Sequence, residues 1–313
     1  MSESTIKNPI TIVLALEASH CNPNGDPDND NAPRQFENGI GYMSSECIKY
    51  KIRSFIRDKI FFGLLDEERH HFYCSPDTFS IESSVKECMD AVSKELANET
   101  KKLTAREINI KKYAALCDYF YDARMFGLVN TSEAKSGILG KIKGACQLSM
   151  PISYDPINII PMTITRCCVS SDKERKGTDG VENGKDRMMG HRSMVEYGLY
   201  HMSIQINSMM AQRNGVTMAD VNLLIDALLH MCDADMSSCR NLTMRKLIVV
   251  EHTKPMGDTY RDTIEEALTA TLKEKDNNPT AYADYDVAFH RELLPEQVKV
   301  TEYSIAHPEG VTL

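Results

Sequence analysis

The sequence predicts an α+β fold, and three stretches carry that expectation. Ile10 to Leu16 is a short apolar run rich in Ile and Val behind Pro9, the pattern of a buried strand. Ser44 to Ile60 repeats Ile48, Ile52, Phe55 and Ile56 at helical spacing. Leu199 to Asn207 alternates, with Met202, Ile204 and Ile206 against His201, Ser203, Gln205 and Asn207, so it predicts a strand with one apolar and one polar face.

Between the first strand and the first helix lies Asn22 to Arg34, a shaped loop. Pro23, Pro27 and Pro33 fix φ, Gly25 is free to take positive φ, and Asn and Asp side chains close local turns. Ser44 caps the helix that follows, with Glu46 in its first turn. Phe61 to Gly127 reads as a helical insertion. Val85, Met89, Val92 and Leu96 mark one helix over Ser84 to Asn98. Thr104-Ala105-Arg106-Glu107 is a capping box opening a second helix through Tyr113, Leu116, Phe120 and Tyr121, which Gly127 stops.

Strand character returns at Ile142 to Met150 and Met162 to Val169, with a turn at Tyr154-Asp155-Pro156 between them. Ser170 to Lys185, charged and glycine-rich, reads as a mobile hairpin or loop. Thr217-Met218-Ala219-Asp220 caps a helix whose Leu224, Ala227, Leu228 and Met231 face the core, and Leu247 to Val250 is another buried strand. The tail from Thr263 mixes one acidic helix with weakly strand-like segments. With the insertions set aside, the order resembles the βαββαβ unit of ferredoxin-like and RNA-recognition folds, with one strand left over.

At 313 residues the chain forms one large or two smaller core units. No apolar run reaches the ~20 residues of a membrane span, and Met1 to Pro9 lacks a signal-peptide layout, so a cytoplasmic protein without membrane contact is expected. The ten cysteines contain no Cys-x-x-Cys pair, and His70, His71 and Cys74 form a cluster with no second half, so free thiols are expected. The net charge of −9 argues against nucleic acid, but its distribution does not. Lys49, Lys51, Arg53, Arg57 and Lys59 crowd one helix with Asp58 as the lone acid among them, whereas twelve acids meet five bases from Asp258 to Glu309.

Three chemistries compete for these residues. Asp26, Asp28, Asp30 and Glu37 fall at calcium-loop positions, but Asn31 stands where glycine is needed and the preceding element is a strand, so no metal is expected. Those aspartates could instead hold a divalent ion for metal-assisted RNA cleavage, the enzymatic alternative. The stronger expectation is backbone-tracking RNA binding. Lys49, Arg53 and Arg57 recur four apart on one helix ridge. Lys141-Ile142-Lys143-Gly144 and Arg187-Met188-Met189-Gly190-His191-Arg192 add two more patches, in which glycine permits close approach and the methionines could wedge between bases. The aromatic pattern of base-stacking RNA-recognition proteins is missing.

Taken together, Asn22-Pro-Asn-Gly-Asp-Pro, Cys47-Ile-Lys-Tyr-Lys-Ile-Arg53, Thr163-Ile-Thr-Arg166 and Met189-Gly-His-Arg-Ser-Met-Val-Glu-Tyr-Gly-Leu-Tyr200 resemble the backbone subunit of type I CRISPR surveillance complexes (Cascade), the type I-C form first and type I-B next. The resemblance runs from about Ile10 to His252. It implies an RNA-recognition-like palm (residues 1–60, 128–166 and 198–313), a helical fingers insertion (61–127) and a β-hairpin thumb (167–197). It also implies a non-enzymatic protein without cofactor that polymerises head to tail along CRISPR RNA, joins other Cascade subunits and presents the guide to target DNA in antiviral defence. Lys49, Lys51 and Arg53 would then hold the RNA backbone, with Lys143, Arg166, Arg187, His191 and Arg192 on or near the thumb path. Asn22, Asn24, Arg34, Arg57, Lys141, Gln147, Met188 and Met189 complete the candidate RNA-binding set. The chain departs from the pattern at Ser193 and Glu196, where a second base and a proline are expected.

Overall fold

The computed structural model describes residues 4–74, 80–97, 103–129, 141–166, 188–274 and 278–313. Its centre is the apolar run near the amino terminus, which forms a longer strand than its composition marks: β1 spans Ile10–Cys21, with buried residues from Ile10 through Ala18. A two-residue ladder, β2 (Gly25–Asp26) with β3 (Ala32–Pro33), shapes the loop, and β4 (Ile40–Tyr42) follows. Positive φ falls on Asp30 and Asn31 rather than on Gly25. What Gly25 supplies is space, because a Cβ there would meet the Asn31 side chain at 2.0 Å.

Helix α1 (Ser45–Phe61) begins at the expected cap, where Ser44 Oγ accepts from Cys47 N–H at 3.2 Å. The insertion holds α2 (Ile81–Ala97), α3 (Ala105–Tyr119) and α4 (Tyr121–Phe126). The Thr104/Glu107 capping box forms, and Gly127 ends α4 at φ 96°. The expected single helix through Tyr121 is instead two, because Phe120 turns extended and bridges His71. Val85, Met89, Tyr113, Leu116, Phe120, Leu128 and Ile142 give this region its own apolar core.

The following strands are shorter and more numerous than expected. They are β5 (Gly127–Val129), β6 (Lys141–Lys143), β7 (Cys146–Leu148), β8 (Ile152–Pro156) and β9 (Ile159–Arg166). The expected turn at Tyr154-Asp155-Pro156 is strand β8. Strand β10 (Met188–Ile206) then runs 19 residues and pairs antiparallel with β9 through Val195, with β8 at Tyr200 and His201, and with β7 from Ile204. Three short strands thus share the one position that a βαββαβ unit has for its second strand, which accounts for the strand left over. The expected loop at Ser170 to Lys185 lies outside the described residues.

After α5 (Ser208–Asn214), the Thr217/Asp220 capping box opens α6 (Met218–Ala234), and β11 (Leu242–Glu251) returns beside β1. The tail contributes α7 (Arg261–Ala267), β12 (Leu268–Leu272), β13 (Tyr285–Phe289), β14 (Lys299–Ser304) and β15 (His307–Thr312). The main sheet runs β15-β14-β11-β1-β10-β8-β4. Its central order, β11-β1-β10 and then the β7–β9 group, with every neighbour antiparallel, is the split βαββαβ arrangement. The protein is therefore an α+β fold, as expected.

Helices α1 and α6 cover one face of the sheet, where Ile12, Leu14, Ile204 and Leu247 meet Ile48, Ile52, Leu224 and Leu228. The other face was expected to be polar. It is covered by the tail, which buries Val13, Ile248 and Val250 under Ile264, Leu268, Leu294 and Val298. His201 and Gln205 are consequently half-buried and Ser203 is buried, its hydroxyl bonded to Glu265. Among the described residues no helix is long and apolar enough to cross a membrane.

Candidate nucleic-acid interface

The basic residues of α1 divide by helical phase. Lys49, Arg53 and Arg57 recur every fourth residue and share a ridge. Lys51, two positions from Lys49 and so on the opposite side, is buried and ion-paired with Asp235. The resemblance placed it with Lys49 and Arg53 on the RNA backbone, whereas the fold gives it Asp235 as a neighbour. The ridge was expected to lack acids, but other positions supply them. Lys49 lies 3.5 Å from Glu46, Arg53 3.9 Å from the buried Asp122, and Arg57 3.7 Å from Asp58 and 3.5 Å from Ser54 Oγ. Lys59 is committed to Asp226 at 2.6 Å.

The loop at Asn22 to Arg34 holds the start of α1. Asn24 Oδ1 accepts from Ser44 N–H at 2.8 Å, and the Cys47 thiol donates to the Pro23 carbonyl at 3.6 Å. Asp26 accepts from the Asp28 N–H at 3.3 Å and pairs with Arg34 at 3.4 Å, so its carboxylate serves the turn and an arginine. Among the described residues no group of three or more His, Cys, Asp or Glu side chains is placed to hold a metal.

At this end of the sheet three segments meet. Asn22 N–H donates to the Cys239 carbonyl at 2.9 Å, and its Nδ2 donates to the Asn31 carbonyl at 2.6 Å. Arg192, from β10, donates to the Cys239 sulfur and reaches the Met162 sulfur at 3.5 Å. Asp235 binds both Lys51 and Arg240, and these hydrogen bonds outweigh its burial and hold its carboxyl below the usual range. Buried polar atoms without a partner among the described residues collect here too: Asn22 Oδ1, Arg34 Nε and Arg192 Nε. Arg240 was missed in the sequence. Its signal was the short polar turn Ser237-Ser238-Cys239-Arg240 between a helix and a strand.

The β6–β7 patch stands toward the other end of the sheet, where Cys146 pairs with Ile206, whereas the β9–β10 patch adjoins Arg192. Lys141 and Lys143 project from β6 into solvent on either side of the buried Ile142. Gln147 is exposed and donates to the Gly144 carbonyl at 3.0 Å. Gly144 does serve a close approach, but to the chain itself: a Cβ there would lie 2.3 Å from the Phe126 carbonyl carbon. On the β9–β10 ladder, Met189 is 74% exposed and His191 is exposed, 3.5 Å from Thr163 Oγ1, while Arg192 takes the opposite face. Arg166 and Met188 pair through their backbones, and Arg187 lies outside the described residues.

A family model described as "CRISPR-associated protein Cas7" matches residues 8–290. No curated protein matches the chain. Among solved structures, the chain is similar to one described as "CRISPR RNA-guided surveillance complex, pre-nicking", at 15% identity and TM-score 0.46, covering 86% of this chain and 84% of that one. A second, described as "CRISPR RNA-guided surveillance complex", has 11% identity and TM-score 0.44, covering 95% of this chain and 89% of that one.

Proposed function

The chain belongs to the Cas7 family of CRISPR-associated proteins, and on that premise we propose that it is a CRISPR RNA-binding backbone subunit of a type I surveillance complex. The subtype we favour is I-C, with I-B next. In this reading residues 1–60, 128–166 and 198–313 form the palm, 61–127 the fingers and 167–197 the thumb. Copies assemble head to tail along the guide with other Cascade subunits, in the cytoplasm, and leave its bases free to pair with target DNA. Non-closing head-to-tail contacts generate a helical filament, and a guide gripped by its backbone keeps its bases for reading.

One observation carries the proposal. Asn22 and Arg34, from the two ends of one loop, meet Arg192 of β10 at one end of the sheet, each with a buried polar atom that no group among the described residues satisfies. Arg34 and Arg192 themselves are only partly buried, and the exposed part of a guanidinium suits a phosphate. The ridge residues Lys49, Arg53 and Arg57 continue from there along α1, with Asn24, Arg240, Lys141, Lys143, Gln147, Arg166, Arg187, Met188, Met189 and His191 as further contacts. Lys51 we assign to holding α1 against Asp235.

We read the protein as a binding subunit rather than a nuclease, with Asp26 engaged by Arg34 and the turn. The experiment is titration of single-stranded RNA with Lys49→Ala/Arg53→Ala and with Arg192→Ala, at several salt concentrations. Weaker binding with a flatter salt dependence is expected, and unchanged binding in both variants would remove the interface. Mg²⁺-dependent cleavage of complementary RNA, lost in Asp26→Ala, Asp28→Ala or Asp30→Ala, would establish the nuclease instead.

A further inference from the structure

The acid that α4 brings to the basic ridge is Asp122. Its carboxylate is fully buried; Oδ1 accepts from Tyr73 N–H at 3.1 Å and Oδ2 from Cys74 N–H at 3.3 Å. These two bonds fix its position. Arg53 stands 3.9 Å from Oδ2 with 16% of its side chain still exposed. That separation exceeds the roughly 2.7–2.9 Å of a charge-assisted hydrogen bond. Two other ion pairs with partly or fully buried partners do close, Arg124 with Asp220 at 2.7 Å and Lys59 with Asp226 at 2.6 Å. Arg53 is thus loosely held, between a buried carboxylate behind it and solvent in front.

We propose that Asp122 is the resident counter-ion of Arg53, that an RNA phosphate displaces it, and that the exchange draws a proton from solvent onto Asp122. The inference rests on the RNA-binding reading and adds to it a coupling to protons. Burial pushes the Asp122 carboxyl up to about 6, against the pull of Arg53 and the two N–H groups. Asp122 is therefore already near its protonation midpoint just below neutral pH. A phosphate that takes the Arg53 N–H groups removes their attraction and adds a second negative charge nearby, and both changes favour the neutral acid. Arg53 stays charged throughout, so the complex holds up to one more proton than its parts. Among the described residues the titratable groups facing Asp122 are Arg53 from α1 and Tyr73 and Cys74 from the segment that enters the insertion. Burial, with Asp122 adding to it, raises Tyr73 to about 12, so it remains neutral in the relevant range.

The test is the affinity of the full chain for single-stranded RNA between pH 5.5 and 8 at constant ionic strength. Wild-type affinity rises as pH falls, by up to about tenfold per pH unit, the limit for one linked proton. Asp122→Asn and Arg53→Ala each lose that part of the slope. At pH 7.5 Asp122→Asn binds several-fold tighter, because nothing competes for Arg53, whereas Arg53→Ala binds more weakly. If Asp122→Asn does not fold, the wild type against Arg53→Ala still decides. Calorimetry in two buffers of different ionisation enthalpy then reports proton uptake directly. The same pH slope in wild type and Arg53→Ala, or no proton uptake, overturns the coupling. No RNA binding at all, or Arg53→Ala with wild-type affinity at every pH, overturns the RNA-binding reading instead.

Discussion

Two of the carboxylates that face α1, Asp235 and Asp122, have surroundings that give them opposite signs of pH dependence. Asp235 is half-buried between Lys51 and Arg240, which hold its carboxyl below the unfolded value. Its contribution to stability is present above the unfolded pKa, near 4, and is lost as pH falls through the depressed folded value. Asp122, raised to about 6, behaves in reverse: its contribution is complete below pH ~4 and is lost as pH rises through about 6, by ~3 kcal/mol at most. Urea midpoints from pH 3 to 8 should show Asp122→Asn removing a loss of stability on the neutral side, and Asp235→Asn removing one on the acid side. Lys51→Met should be destabilising by about 1–3 kcal/mol, less than a fully orphaned buried charge would cost because Arg240 remains with Asp235. An unchanged midpoint for Lys51→Met would show that the pair holds nothing. The ridge of Lys49, Arg53 and Arg57 was legible from spacing, because helical phase is a property of the sequence. Asp122 and Asp235 were not, because they approach α1 from positions 60 or more residues away, and no periodicity records that.

At the scale of elements, caps were legible and breaks were not. Ser44, Thr104 and Thr217 each begin a helix with the local hydrogen bonds that their sequences encode. The break at Phe120 has no local signal: His71 pairs with it from the entry to the insertion, and Phe120 itself is buried. The break lets Arg124 reach across to α6. Its Nε and a terminal nitrogen donate to Asp220 Oδ1 at 3.0 and 2.7 Å, and its other terminal nitrogen donates to the Arg69 carbonyl at 2.7 Å. Asp220 Oδ2 meanwhile accepts from Thr217 N–H at 2.9 Å, completing the capping box. A fully buried arginine with its charge matched this way is costly to break from one side. Arg124→Met should destabilise the protein by about 3–5 kcal/mol, read as a shift in urea midpoint, because Asp220 stays buried with half its partners gone. A loss under 1 kcal/mol would mean that the insertion and α6 hold together without this link. The surplus strand was misread for a related reason: β10 is long enough to take three partners in succession, and strand length is set by the sheet rather than by the alternation within one segment.

The whole molecule is a sheet closed on both faces, and this bears on what it can read in RNA. The expected polar face lies under the tail, whose apolar residues Ile264, Leu268, Leu294 and Val298 pack on Val13, Ile248 and Val250. The tail read as one acidic helix with weakly strand-like segments, because its strands are short and its charges many; its apolar residues pack both on one another and on the sheet. Glu265 and Glu302 ride with it on the side of the sheet opposite α1, so their charge need not oppose an anion on the ridge. An RNA-recognition sheet stacks bases on an open face, and here that face is filled from within the chain. In the proposed reading, contact with RNA is left to side chains at the sheet end and on the ridge, which would meet phosphates. The expected behaviour is affinity that is strongly salt-dependent and nearly indifferent to sequence. Oligouridylate and oligoadenylate of equal length should bind within a few-fold of each other, with log K falling by about 0.7 per neutralised phosphate per log unit of salt. Lys49→Ala/Arg53→Ala should lower that slope by about 1–1.5, equally for both sequences. A preference of a hundredfold for one base, insensitive to these two residues, would mean that bases are read directly, and the closed face would then have to open.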